Sequence, residues 1–129
     1  MSKSAEIVVY YIANSPLCVQ ELKMYHKLIP GLIEVIFHND SMTVIDLQSR
    51  QKGGGSAMMV HAAKEAIKRG IDRIDLDDCT DRYNQDDNIY LKMGMKYVSA
   101  GDGPEMIGSS ATIAAYPLNT EMVIREICL

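Results

Sequence analysis

Three consecutive glycines, Gly53-Gly54-Gly55, join a β-like run to a long amphipathic segment, and this junction limits the possible folds more than any other feature. Before it, Met42 to Leu47 (MTVIDL) reads as a strand. After it, from about Ser56 to Arg69, Met58, Met59, Ala62, Ala63, Ala66 and Ile67 recur at helical spacing and form a buried stripe. The methionines in that stripe are core packing. His61, Lys64, Glu65, Lys68 and Arg69 fall on the outward face, and Gly70 reads as the C-cap. Arg73 to Asp77 (RIDLD) follows closely as another strand. A right-handed β-α-β crossover onto Met42–Leu47 is therefore the economical arrangement.

Such a junction has a chemical use. Glycines let the backbone approach a ligand closely and aim several N–H groups at one point, where the helix terminus adds positive partial charge. Arg50 and Lys52 add full charges, so Arg50-Gln51-Lys52-Gly53-Gly54-Gly55 suits an anionic phosphate group. Two familiar loops are excluded by spacing. A P-loop ends in Gly-Lys-Ser/Thr, whereas Gly55 is followed by Ser56-Ala57. The dinucleotide fingerprint needs glycine at its sixth position, which counted from Gly53 is Met58.

The remaining chain reads as one domain over residues 1–129, without repeats, linkers or low-complexity tracts. Glu6 to Ala13 (EIVVYYIA) is a strand by its β-branched and aromatic content. Asn14-Ser15-Pro16 starts a helix, predicted from Leu17 to Ile29 and ended by Pro30-Gly31. Leu32–Phe37 and Met42–Leu47 form an antiparallel hairpin about the turn His38–Ser41. A short helix around Asn88–Met93 is stopped by Gly94, and Met95–Ser99 is a further strand. Gly101–Pro104 and Gly108–Ser110 mark loops, Ala111–Ala115 is a further strand candidate, and Glu121–Cys128 is the last strand.

The sequence resembles the GCN5-related N-acetyltransferases, the GNAT family. Members typically read V-D-P-x-x-R-G-x-G-x-G before a helix, and Ile45-Asp46-Leu47-Gln48-Ser49-Arg50-Gln51-Lys52-Gly53-Gly54-Gly55 keeps that register. The helix end at Gly70-Ile71, the strand Arg73–Leu76 and Tyr90-Leu91-Lys92-Met93-Gly94-Met95-Lys96-Tyr97-Val98 are similar to the family pattern as well. The resemblance extends over about residues 42–98 and implies an α/β fold: a central twisted mixed sheet flanked by helices, with splayed central parallel strands. It also implies acetyl-CoA as cofactor. The backbone near Ile45 and Leu47 would hold the pantetheine arm, and Arg50, Gln51, Lys52, Gly53, Gly54, Gly55 and Ser56 the pyrophosphate. The reaction implied is direct transfer of the acetyl group to a primary amine in a ternary complex.

Catalytic expectations rest on fewer residues. Tyr90, four residues before Gly94, matches the tyrosine that protonates the departing thiolate in the family. For the base, Asp78 falls by alternation on the face of Ile74 and Leu76, or else is a solvated loop residue past the strand; Glu34 is the other contender. His61 reads as solvated. Asn84, the remaining cofactor-binding candidate, stands one place later than the family's pantetheine-contacting asparagine, in an acidic segment that departs from the usual pattern, so this part of the cofactor site is expected to be remodelled. About forty residues before the loop hold one clear helix and the hairpin, fewer elements than the family usually places there. That shortened part implies an open acceptor site, or one completed by a second subunit in a homodimer.

Composition narrows the class of partner. The net charge is −4 with no basic block, which argues against nucleic acid. No apolar run is long enough to span a membrane. Three distant cysteines, Cys18, Cys79 and Cys128, form neither a disulfide framework nor a zinc motif, and Cys79 reads as structural. A reducing, cytoplasmic location is expected. The acceptor is left among a peptide amino terminus, a lysine, a polyamine and an aminoglycoside. A catalytically silent protein that keeps the fold as a coenzyme A-binding, structural or interaction module is the alternative.

Overall fold

The computed structural model describes residues 5–78, 88–98, 103–119 and 121–129. Its centre is a seven-stranded mixed sheet. In chain order the elements are β1 (Glu6–Ile12), α1 (Val19–Tyr25), β2 (Gly31–Phe37), β3 (Ser41–Ser49), α2 (Gly54–Lys68), β4 (Arg73–Asp77), α3 (Ile89–Lys92), β5 (Lys96–Tyr97), β6 (Glu105–Ser109), α4 (Ser110–Ala114) and β7 (Ile124–Cys128). The strands lie in the order β5-β6-β4-β3-β2-β1-β7. Among the described residues only β3 and β4 run parallel, joined through α2 as the crossover requires. No helix among the described residues is long and apolar enough to cross a membrane.

Alternation decides which side chains meet α2. Val8, Tyr10 and Ile12 of β1, Ile33, Val35 and Phe37 of β2, Met42 and Val44 of β3, and Ile74 and Leu76 of β4 form one buried cluster with Met58, Met59, Ala62, Ala63 and Ala66. A smaller cluster on the opposite face packs Leu22 of α1 against Val9, Tyr11 and Leu32. Gly70 has φ +75°, a left-handed conformation that ends α2 where Ile71 turns back into the core.

Register explains how the sheet opens. Val35 of β2 lies opposite Val44, but Glu34 lies opposite Asp46, so Ile45 is an extra residue on β3. Such a bulge bends its strand and raises the local twist. The β3–β4 ladder runs from the Ser41–Arg73 pair to the Val44–Leu76 pair and ends there, immediately before the bulge. Beyond this point the two parallel strands diverge.

Several sequence expectations need correction. Gly108 and Ser109, read as loop, end a strand, Glu105–Ser109, that lies between β4 and β5, and residues 110–114 form a helical turn rather than a strand. The first helix is shorter than predicted because Cys18, rather than the Asn14-Ser15 pair, is its N-cap; Glu21 completes a capping box with it. Leu28, within the predicted span, lies beyond the end of the helix and is exposed. Ile67 is half-exposed rather than part of the α2 stripe. The last strand begins at Ile124 instead of Glu121 and pairs with β1 at the far edge.

Candidate active site

Divergence of β3 from β4 leaves a cleft of about 560 Å³ lined by Thr43 to Leu47, Asp75 to Asp77, Tyr90 and Glu105. Ile45 and Leu47 on one wall therefore share this cavity with Tyr90 of α3. Ile45 is 47% exposed, the result of its place at the bulge, whereas Leu47 rests against the core beneath α2.

Behind the cleft, α3 is held by a buried polar network. Asn88 caps the helix, its Oδ1 accepting from the Tyr90 N–H at 2.8 Å and the Leu91 N–H at 3.3 Å. The Asn88 amide in turn donates to Asp78 Oδ2 at 2.7 Å, and the Tyr97 hydroxyl donates to the same oxygen at 2.6 Å. Asp78 is 3% exposed, its own N–H donating to the Pro104 carbonyl at 2.8 Å. The expectation of a solvated loop residue is thus overturned: alternation past the end of β4 does bury this carboxylate. It is Asp77, not Asp78, that lines the cleft. Tyr90 is itself 6% exposed and packs into the main core.

At the other end of β3 the glycine loop is pinned at its base. The Arg50 N–H donates to the Pro30 carbonyl at 2.7 Å. The Gln51 carbonyl accepts from the Gly54 N–H at 2.9 Å and from the Ser49 hydroxyl at 2.8 Å. Gly53, the N-cap of α2, has φ +82° and offers no side-chain cap. A Cβ on Gly54 would stand 2.6 Å from Ser49 Oγ. Among the described residues, the N–H groups of Gly53, Gly55 and Ser56 have no protein acceptor. Arg50, Gln51 and Lys52 are exposed beside them. A cavity of about 300 Å³ opens against Lys52, Gly53 and Ser56, closed on its other side by Tyr116, Pro117, Leu118 and Asn119. Unpaired N–H groups at the start of a 15-residue helix, with two cations nearby, form an anion cradle.

Other expected residues fall elsewhere. His61 is not simply solvated: its ring meets Tyr10 edge-on with centroids 4.8 Å apart, and burial pulls its pKa below the usual histidine value. Glu34 lies opposite Asp46 and lines a separate cavity of about 410 Å³ on the α1 face, with Leu22, Lys23, His26 and Leu32. Asn84 and Cys79 lie outside the described residues. Cys18 and Cys128 are free and exposed.

Sequence reasoning missed the acidic lining of the cleft. Asp75 and Asp77 alternate with buried Ile74 and Leu76, so the RIDLD pattern already placed them on the face away from α2. Glu105 carried no such signal, because residues 105–107 were assigned to no element between the two loops read at Gly101–Pro104 and Gly108–Ser110.

No family model matches the sequence, and no curated protein is significantly similar to it. Solved structures share its architecture. Nourseothricin acetyltransferase superposes with a TM-score of 0.51 at 21% identity, over 64% of this chain and 58% of that one. An acetyltransferase from Bacillus cereus gives a TM-score of 0.56 at 16% identity, over 84% of this chain and 73% of that one. A mutant AtaT toxin, bound to the C-terminus of the antitoxin AtaR and acetyl-CoA, gives 0.50 at 12% identity, over 66% of this chain and 61% of that one. The chain spans little more than half the length of nourseothricin acetyltransferase. The protein has the GNAT fold: a mixed sheet flanked by helices, its parallel pair splayed beside a glycine loop.

Proposed function

We propose that the protein is a divergent GNAT acetyltransferase that moves the acetyl group of acetyl-CoA to a primary amine. The observation that carries this reading is the continuity of strand β3. Its middle bears the bulge that opens the cleft, and its C-terminal end runs directly into a cradle of unpaired N–H groups at the head of α2. A cofactor with a diphosphate at one end and a thioester on a long arm fits that spacing of functions.

In this reading Arg50, Gln51, Lys52, Gly53, Gly54, Gly55 and Ser56 hold the diphosphate, and the backbone of Ile45 and Leu47, freed from pairing with β4, holds the arm. Acetyl-CoA supplies an activated acyl group. The amine nitrogen forms the new C–N bond to the acetyl carbon as the C–S bond breaks, and the thiolate takes a proton. Tyr90 is the donor of that proton, because it lines the cleft from a helix fixed by Asn88. The proton lost by the amine passes to a carboxylate on the cleft wall. Asp78 serves by holding α3 through Asn88 rather than as the base.

The test has two parts. Acetyl-CoA should raise the melting temperature, since a ligand bound only by the folded state stabilises it by mass action. Thiol release should then follow when a panel of amines is added. Absence of any thermal shift at millimolar acetyl-CoA would sink the cofactor assignment. A shift without thiol release would favour a silent binding module.

A further inference from the structure

The side of the sheet away from α2 is only half covered. There α1 packs on Val9 and Tyr11 of β1 and Leu32 of β2. Across the remaining strands the ladder sets Ile36 opposite Thr43, Thr43 opposite Asp75, Asp75 opposite Ile107, and Ile107 opposite Lys96. Asp77 and Glu105 stand opposite each other in the next row. None of these residues is buried; Ile107 is 37% exposed, and Val98, whose N–H donates to the Glu105 carbonyl, is 49% exposed. Four strands, β3, β4, β6 and β5, thus present a bare surface about 14 Å wide, room for one helix of about 10 Å diameter.

The outer side of α1 has the matching character. Leu22 takes the sheet side, while Met24 is 71% and Leu28 76% exposed, flanked by exposed Lys23 and Lys27. Apolar side chains grouped this way on a surface mark a contact with another molecule. Charge is complementary as well. The bare half carries Asp46, Asp75, Asp77 and Glu105 against Arg73 and Lys96, and Arg73 already lies 3.7 Å from Asp75. The acidic residue of α1, Glu21, is engaged in the capping box at the far end of the helix.

We propose that two copies of this chain form a two-fold dimer in which α1 of each seats on the bare half of the other's sheet. The two patches lie side by side on one face. A two-fold axis along the strands, between two facing sheets, therefore brings each α1 over the other copy's bare half and buries both pairs at once. A foreign partner would need to supply both surfaces; a second copy supplies them by symmetry. Met24 and Leu28 then meet Ile107 and Val98, and Lys23 and Lys27 approach Asp77 and Glu105 on the cleft wall. The helix of each copy roofs the cleft of the other, so the site is complete only in the dimer. The interface goes beyond the acetyl-transfer reading and does not depend on it.

The test is sedimentation equilibrium of the full chain without cofactor, from micromolar to millimolar concentration. The mass should rise reversibly to twice that of one chain. Met24→Glu/Leu28→Glu, at two exposed positions, should weaken association by about 100-fold or more; Ile107→Lys serves if that variant folds poorly by circular dichroism. Lys23→Glu/Lys27→Glu and Asp77→Lys/Glu105→Lys should each weaken it by about tenfold, and the four changes together should restore much of the loss. A single-chain mass at every concentration overturns the proposal. So does a dimer that the Met24/Leu28 and Ile107 variants leave intact, which would place the contact elsewhere, such as the free edge of β7. Thiol release from acetyl-CoA, followed in parallel, separates the two readings. A dimer with no thiol release from any amine would refute acetyl transfer and leave the interface standing; a monomer that releases thiol would do the reverse.

Discussion

The side-chain amide of Asn88 reaches the buried carboxylate of Asp78 at 2.7 Å while its oxygen caps the helix that carries Tyr90. One residue thereby ties the end of β4 to the start of α3. Asn88→Ala should remove the cap and leave Asp78 short of a donor, a combined loss of about 2 to 3 kcal/mol. Chemical denaturation would measure it. Asn88→Asp restores a capping oxygen but sets a carboxylate against Asp78, so at neutral pH it should rescue little. Full rescue by aspartate would show that the contact with Asp78 is unimportant.

Tyr90→Phe keeps the ring in the core and removes only the hydroxyl. Turnover should fall by about 100-fold, the lower range for a lost general acid, with acetyl-CoA affinity nearly unchanged. An unaltered rate in steady-state assays would take Tyr90 out of the mechanism.

The loop can be tested by a single methyl group. Gly54→Ala places a Cβ 2.6 Å from Ser49 Oγ, which is itself bonded to the Gln51 carbonyl. Relief requires the serine to swing and the loop to shift, so acetyl-CoA affinity should fall about tenfold or more in titration calorimetry, equivalent to ~1.4 kcal/mol. Ser49→Ala combined with Gly54→Ala should recover part of that loss.

Ile45 makes a sharper case for the bulge. Deleting it removes the extra residue, bringing the strand beyond Val44 back into step with β2. The parallel ladder with β4 should then continue past Leu76 and close the cleft. A folded deletion variant should show no thermal response to acetyl-CoA; an undiminished response would separate the cleft from the bulge.

His61 gives a pH signature. Its folded pKa lies below the usual value of 6.5, chiefly through burial, with Glu65 opposing. Below that value the unfolded chain binds the extra proton more readily than the folded one. The contribution is therefore fully present above about pH 6.5 and is lost as pH falls toward the folded pKa. His61→Phe should flatten the fall in melting temperature across that acidic interval.

The centre of the protein was legible in the sequence, and its edges were not. β3, the glycine loop, α2 and β4 announce themselves because helical and strand periodicities meet at Gly53-Gly54-Gly55, and their order implies the crossover. Tyr90 was reachable through its spacing to Gly94, which adopts φ +92°. β6 was missed because only Met106 is fully buried among its five residues and two of them are Gly108 and Ser109. Its strand character comes from pairing with β4 and β5, a non-local cause. Burial of Asp78 depended likewise on Asn88 and Tyr97, ten and nineteen residues away.

The pairing of β7 with β1 also sets how the molecule responds to force. The strands are antiparallel, with Val8 beside Cys128, and the Leu129 N–H donates to the Ile7 carbonyl at 2.9 Å. Tension applied through residues 6 and 129 would load these bonds one pair after another, so β7 would unzip at low force. β2 lies between that edge and β3, so the walls of the cleft would carry little of the load while the first strand peeled away.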